Sequence, residues 1–138
     1  METQEIYKSF SSNKSLNELL YKMKAEALRL NDLKFELQFY ITLLYKPIFK
    51  TRTANLYEIL ARYKYDIGIL QERRVKLQSH VNEYINQINN KIENEITTFD
   101  DYFINNYDDL EHEIFNFHVK VSDFKFGFFE YIQNVSLN

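Results

Sequence analysis

The residues whose type and spacing come closest to chemistry are Asp109 and His112, a carboxylate and an imidazole three positions apart. On a helix, this spacing matches half of a carboxylate-bridged di-metal site. Such a site needs the motif twice, together with carboxylates that project inward from other helices. The sequence contains one copy, and its apolar helix faces offer no inward-facing carboxylate. We therefore predict solvent-facing polar residues here, with no bound metal and no cofactor.

The remaining polar residues offer no clear catalytic group. His80 and His118 stand alone in the sequence. No group of a serine, a histidine and an acidic residue suggests an activated nucleophile. The glycines, Gly68 and Gly127, are isolated, so no glycine-rich loop can cradle a phosphate. The chain has no cysteine, which excludes disulfides and thiolate metal sites. We expect that the protein is not an enzyme and that it binds no small-molecule ligand.

The composition indicates which elements would position any site. The chain of 138 residues contains only two glycines and one proline, so turns are scarce and a few long helices are favoured over many strands. Apolar residues make up 45% of the sequence, enough to bury a core. The length predicts a single helical domain over residues 15–138, preceded by a loose tail at residues 1–14.

Two features of the sequence bear on where the protein acts. No stretch approaches the roughly 18 uninterrupted apolar residues that suggest a membrane-spanning helix. The first ten residues also lack the basic and then apolar order of a signal peptide. We therefore expect a cytoplasmic protein with no membrane span.

The longest predicted helix runs from Asn55 to about Phe99. Its apolar residues alternate at spacings of four and three, interrupted only by Arg74, and this heptad pattern is typical of helices that pack side by side. Asn55 and Glu58 form a capping signal that starts the helix at Leu56. The apolar series is Leu56, Leu60, Tyr63, Ile67, Leu70, Leu77, Val81, Tyr84 and Ile88.

A second heptad series predicts a helix over Leu16–Lys46, which Pro47 ends. Lys34 interrupts this series, and we expect it either to pair with Asp66 or to extend to solvent. Because residues 47–54 form a short connection, the two helices must be antiparallel. The apolar series is Leu16, Leu20, Met23, Ala27, Leu30, Leu37, Ile41, Leu44 and Ile48. Further apolar residues are expected to widen this stripe, as in a bundle of three or more helices: Leu19, Leu33, Phe35 and Phe39.

The sequence between residues 114 and 129 fits two structures. Alternating phenylalanine and valine residues favour a β-hairpin. The same stretch lies within an uninterrupted heptad series from Leu110 to Val135, and because this pattern is longer we predict a helix. We place a helix break near residues 105–106, where two asparagines meet. Folding back from there would bring Phe124 near Tyr84.

These patterns together predict an all-α fold. An elongated, coiled-coil-like antiparallel helical hairpin would align Leu30 with Arg74. The C-terminal helix would pack back along the second helix, bringing Phe128 near His80, to give a three- to four-helix bundle.

The aromatic content suggests how such a bundle could act. Eight of the twelve phenylalanines lie in residues 99–129, more than a small core needs. Phe115, Phe126 and Phe129 point away from the predicted core and share one face of the helix, so we predict that they bind a partner. The sequence thus favours a non-enzymatic structural or adaptor protein. It would act by helix–helix protein–protein interaction or by self-assembly within a larger complex, with a second copy or another protein as its partner.

The main alternative is a nucleic-acid-binding accessory protein, and a third, less favoured hypothesis is a small enzyme or ligand carrier with a pocket between helices. Residues 46–76 carry a net charge of about +5 and residues 77–113 about −8. The overall charge of −3 and the lack of a recognition motif weigh against this alternative. The basic residues that would contact phosphates are Lys50, Arg52, Arg62, Arg73 and Lys76.

Overall fold

The chain forms three α-helices in the computed structural model, which describes residues 16–94 and 101–137. They are α1 (Leu16–Leu44), α2 (Leu56–Glu93) and α3 (Asp101–Val135). Each helix contributes a segment to two compact units. The first unit comprises described residues 16–30, 77–94 and 101–114, and the second comprises residues 31–76 and 115–137.

The described part of the chain contains helices but no strand beyond one isolated bridge. The all-α prediction is therefore confirmed, and residues 114–129 are helix and not hairpin. The predicted tail at residues 1–14 lies outside the described residues. The prediction of a single domain over residues 15–138 stays a prediction.

Helix α2 follows its heptad series closely. It begins at Leu56 as predicted, and nine of the ten series positions from residue 56 to residue 88, Arg74 among them, are buried; Tyr63 is half-buried. Asn55 precedes the helix with a φ of 58°, in the left-handed region that asparagine tolerates better than most residues. Its carbonyl accepts the first helical hydrogen bond, from the amide of Ile59 at 3.0 Å.

Helix α1 buries the predicted stripe in part. The positions that are buried as predicted, including two expected to widen the stripe, are Leu19, Met23, Leu30, Leu33, Leu37 and Leu44. Leu33 and Tyr40 are 5% exposed and replace Lys34 and Ile41 on the core-facing side. Lys34 is exposed, and no ion pair joins it to Asp66 in the described residues. Burying a leucine in place of an ammonium avoids a large desolvation cost. The arrangement with Leu33 inside and Lys34 outside is therefore the more stable one. The buried stripe of α1 is Leu19, Met23, Leu30, Leu33, Leu37, Tyr40 and Leu44.

The antiparallel pairing of α1 and α2 is confirmed within each unit. In the first unit, Nε2 of Gln78 donates a hydrogen bond to the Ala27 carbonyl at 3.3 Å. In the second unit, Nε2 of Gln71 donates to the Lys34 carbonyl at 3.1 Å. Both contacts agree closely with the predicted alignment of the two helices.

The helix break expected at residues 105–106 is wrong, because α3 continues through both asparagines. Phe103, Tyr107 and Leu110 lie on the buried face of this part of the helix, between 2% and 6% exposed. Asparagine costs a helix less than about 0.7 kcal/mol relative to alanine. Burying a large side chain is worth about 1.5–3 kcal/mol, so the apolar face prevails.

The predicted alignment of α3 with α2 is also wrong, because it assumed a helix break at the asparagine pair. Tyr84 packs on Phe103 at a ring separation of 4.8 Å and not on Phe124. In the second unit, Phe124 and Phe128 pack on Tyr63 at 6.0 and 5.2 Å. Phe128 therefore does not lie beside His80. Helix α2 ends at Glu93 and α3 begins at Asp101, both before the asparagine pair.

A short backbone contact in the second unit was not predicted. The amide of Lys50 donates to the Val135 carbonyl at 2.8 Å, and the amide of Leu137 donates to the Ile48 carbonyl at 2.8 Å. These bonds form an antiparallel bridge between Phe49 and Ser136. The connection between α1 and α2 is thus tied to the residues that follow α3.

Candidate protein-binding surface

The second unit carries exposed phenylalanines on α3. Phe115 is 65% exposed, Phe126 is 75% exposed and Phe129 is 47% exposed. Eleven residues, about three turns, separate Phe115 from Phe126, so both lie on one side of the helix. Val119, 41% exposed, lies between them on the same side. The structure therefore leaves the three predicted partner-binding residues accessible; whether they bind a partner stays a prediction.

Helix α1 contributes two further phenylalanines that were expected to belong to the buried stripe. Phe35 and Phe39 are 59% and 60% exposed and lie one helical turn apart. They flank Leu37, which is fully buried, so they point away from the core. Predicting this exposure from the sequence would have required knowing which side of α1 faces the core.

A buried tyrosine joins the exposed rings of the two helices. The ring of Tyr40 lies 6.2 Å from that of Phe39 on α1 and 5.5 Å from that of Phe129 on α3. Tyr40 itself is only 5% exposed. We use the term aromatic surface for these two rings, Phe39 and Phe129, together with Phe35 and Phe126, which lie about one turn away on the same helices.

A polar contact holds α1 and α3 together beside the aromatic surface. The Nζ atom of Lys125 lies 2.5 Å from Oε1 of Glu36, and the Tyr40 hydroxyl donates a hydrogen bond to the same carboxylate. Burial alone would raise the pKa of Glu36, but the hydrogen bonds from Lys125 and Tyr40 outweigh it and lower that pKa. Burial and the Glu36 carboxylate raise the pKa of Tyr40. The carboxylate therefore stays ionised and the phenol stays protonated at neutral pH.

No protein-family model, curated protein or solved structure matches this chain. Its function must accordingly be inferred from the surfaces that the fold presents.

The basic residues of the alternative hypothesis also lie in the second unit, and all five are exposed. Arg62 and Arg73 are eleven residues apart on α2 and share a face, with Lys76 one turn further on. Lys50 and Arg52 lie in the connection that precedes α2. The structure thus brings three of the five onto one helix face, and nucleic-acid binding stays a prediction.

The first unit contains a polar cavity that the sequence did not suggest. Its volume is about 310 Å³, and its lining includes His80, Glu83, Asp109 and Glu113. Nδ1 of His80 lies 3.0 Å from Oε1 of Glu113. His80 therefore has a partner, contrary to the expectation that it stands alone. In the described residues, no three histidine or acidic side chains are placed to hold a metal ion. His112 is exposed and does not line this cavity.

One property of the helices bears on membranes. Over residues 16–94 and 101–137, none of the helices combines the length and apolar character that crossing a bilayer requires.

Proposed function

We propose that this chain is a non-enzymatic structural or adaptor protein, and that it associates with a second copy of itself through the aromatic surface. The observation that carries this proposal is the accessibility of Phe35, Phe39, Phe126 and Phe129, each between 47% and 75% exposed, on two helices joined by Tyr40. Exposed aromatic residues grouped on two neighbouring helices are typical of interaction sites.

The chemistry of the surface favours a second copy as the partner. Aromatic side chains dominate the energy of protein interfaces because they bury large areas with few rotatable bonds. Lys125 and Glu36 neutralise each other beside the rings, so this pair adds no net charge to a contact between two copies. A two-fold symmetric dimer uses the same patch on both subunits, which suits a surface rich in apolar rings.

The test is the solution mass of a double variant. Replacing Phe126 and Phe129 with serine removes two of the four rings, neither of which is itself buried. Light scattering across a concentration series should show dimers for the wild type and a shift to monomers for the variant. Circular dichroism should show unchanged helix content, because both rings are at least 47% exposed.

A matched control uses exposed apolar residues elsewhere on the second unit. Tyr65 and Val75 on α2 are 69% and 56% exposed and do not belong to the aromatic surface. Replacing both with serine should leave the mass unchanged. A wild-type protein that remains monomeric at high concentration would refute self-association, and equal weakening by both double variants would refute the assignment to this surface.

The second candidate function is nucleic-acid binding through α2. It is supported by the exposure of Arg62, Arg73 and Lys76 along one face. Against it, Glu58 and Glu72 lie one turn before Arg62 and Lys76, as on an ordinary solvated helix. A filter-binding series at increasing salt tests it, because phosphate contacts give a steep loss of affinity with salt. Exchanging Arg62 and Arg73 for glutamine should reduce that dependence if the contacts exist.

A further inference from the structure

A cleft opens in the second unit where α1 ends and α2 begins. Its volume is about 610 Å³, within the usual range of roughly 300–1,000 Å³ for ligand sites. The floor consists of side chains that are between 2% and 7% exposed: Leu44, Phe49, Leu56 and Leu60. The cleft therefore reaches the apolar core of this unit.

The mouth of the cleft is apolar as well. Tyr45, Tyr57 and Leu137 line it, and they are 71%, 69% and 59% exposed. Leu137 is held in place by the hydrogen bond from its amide to the Ile48 carbonyl at 2.8 Å. These side chains would lose contact with water if an apolar molecule filled the cleft.

The charges at the cleft have one sign. Lys46 and Lys64 contribute to the lining, and no aspartate or glutamate does. The Nζ atom of Lys64 lies 3.8 Å from the centre of the Tyr45 ring, which places its ammonium at the mouth. The connection that borders the cleft also carries Lys50 and Arg52, and residues 45–55 contain no acid. An anionic group would therefore be attracted to the mouth.

We propose that this cleft binds a single-chain amphiphile with an anionic head group, such as a fatty-acid carboxylate. The carboxylate lies at the mouth between Lys46 and Lys64, and the hydrocarbon chain covers the floor formed by Leu44, Phe49 and Leu60. The apolar floor selects the hydrocarbon chain, and the two ammonium groups, in a lining without an acid, select the head group. This site is distinct from the aromatic surface, since the two share no residue.

The experiment measures binding of dodecanoate to the full-length chain by calorimetry, below the concentration at which dodecanoate aggregates. We expect saturable binding of one dodecanoate per chain. Dodecyltrimethylammonium, with the same tail and a cationic head, should bind about ten-fold more weakly or not at all. The variant in which Lys46 and Lys64 are both glutamine should weaken dodecanoate binding about ten-fold and abolish the preference for the anionic head.

Two controls locate the site. Replacing Arg73 and Lys76 with glutamine removes equal charge from exposed positions outside the cleft and should leave the affinity unchanged. The Phe126→Ser, Phe129→Ser variant should bind dodecanoate as the wild type does, whether or not it still self-associates. Failure of the amphiphile proposal is thus distinguishable from failure of the proposed function.

Three results would overturn the proposal. The first is no saturable binding of dodecanoate. The second is equal affinity for the anionic and cationic amphiphiles. The third is loss of binding in the Phe126→Ser, Phe129→Ser variant but not in the lysine variant, because the ligand would then occupy the aromatic surface.

Discussion

Glu36 on α1 and Lys125 on α3 form an ion pair with a nitrogen–oxygen distance of 2.5 Å, and Tyr40 donates a hydrogen bond to the same carboxylate. One carboxylate therefore satisfies groups from two helices of the second unit. Because the charged form receives both contacts, its ionisation is linked to the folded state.

The first prediction follows from this linkage. The pKa of Glu36 is lowered from an ordinary value of 4.5, so its contribution to stability is present at neutral pH and is lost as the pH falls through the folded-state pKa, below 4.5. Glu36→Gln should lower the melting temperature at neutral pH, and the difference from wild type should vanish in strong acid. Thermal melts followed by circular dichroism check this. The control is Glu72→Gln, which removes an exposed carboxylate on α2. Its melting temperature should not show this pH-dependent difference from wild type.

The second prediction concerns the aromatic core of the second unit. Phe128 is 1% exposed, and its ring lies 5.2 Å from the rings of Tyr40, Tyr63 and Phe124. Phe128→Ala should reduce the free energy of unfolding by about 3–5 kcal/mol, as for other buried phenylalanines. Phe115→Ala, on an exposed side of the same helix, should change it by less than about 0.5 kcal/mol. Similar losses in chemical denaturation of the two variants would contradict this assignment.

A third prediction compares two neighbours on α1. Leu33 is buried and Lys34 is exposed, although the regular heptad series assigns Lys34 to the core. Leu33→Ala should cost about 2–5 kcal/mol in urea unfolding. Lys34→Ala should stay within about 0.5 kcal/mol of wild type. A larger loss of stability for Lys34→Ala than for Leu33→Ala would instead place Lys34 in the core, as the heptad series predicts.

The fourth prediction addresses the continuity of α3. Asn105 lies beyond the first turn of a helix that begins at Asp101, so its amide belongs to the helical interior. Asn105→Pro should destabilise the protein by about 3 kcal/mol or more, because proline removes a hydrogen bond and clashes with the preceding turn. Asn105→Ala is the control and should be neutral or slightly stabilising. Calorimetric melts that show proline tolerated at this position would indicate a helix break.

The helices were predictable from the sequence where a single apolar series dominates. Along α2, residues Leu56 to Ile88 offer only one heptad series, interrupted at Arg74, and the structure buries nine of its ten positions. Near the centres of the two predicted series, Leu30 and Leu37 on α1 and Ile67 on α2 are completely buried. On α1, two overlapping series compete, since Leu33 and Tyr40 are each one position from Lys34 and Ile41. The spacing alone cannot decide between them, because the choice depends on which neighbours the helix contacts.

The alignment of α3 was not predictable from local propensity. The Asn105–Asn106 pair suggested a turn, but burial of Phe103 and Tyr107 extends the helix across it. An error in the position of a turn displaces every contact that follows, so Phe124 was assigned to Tyr84 when it packs on Tyr63.

The candidate sites were predictable only in part. Phe126 and Phe129 could be recognised as exposed from the spacing of α3 itself. Phe35 and Phe39 could not, because their orientation depends on the register of α1. The cleft depends on Leu137 lying against the α1–α2 connection, a contact between segments far apart in the sequence. No local pattern encodes that proximity.

The bridge between Phe49 and Ser136 has a consequence for the order of folding. Its two hydrogen bonds join residues 48–50 to residues 135–137, and loop closure over so many residues is slow unless other contacts have already shortened the loop. The bridge should therefore form after the helices of the second unit have packed. We expect the amide protons of Lys50 and Leu137 to become protected from exchange with solvent later than those in the middle of the second unit's helices, and to lose that protection earlier.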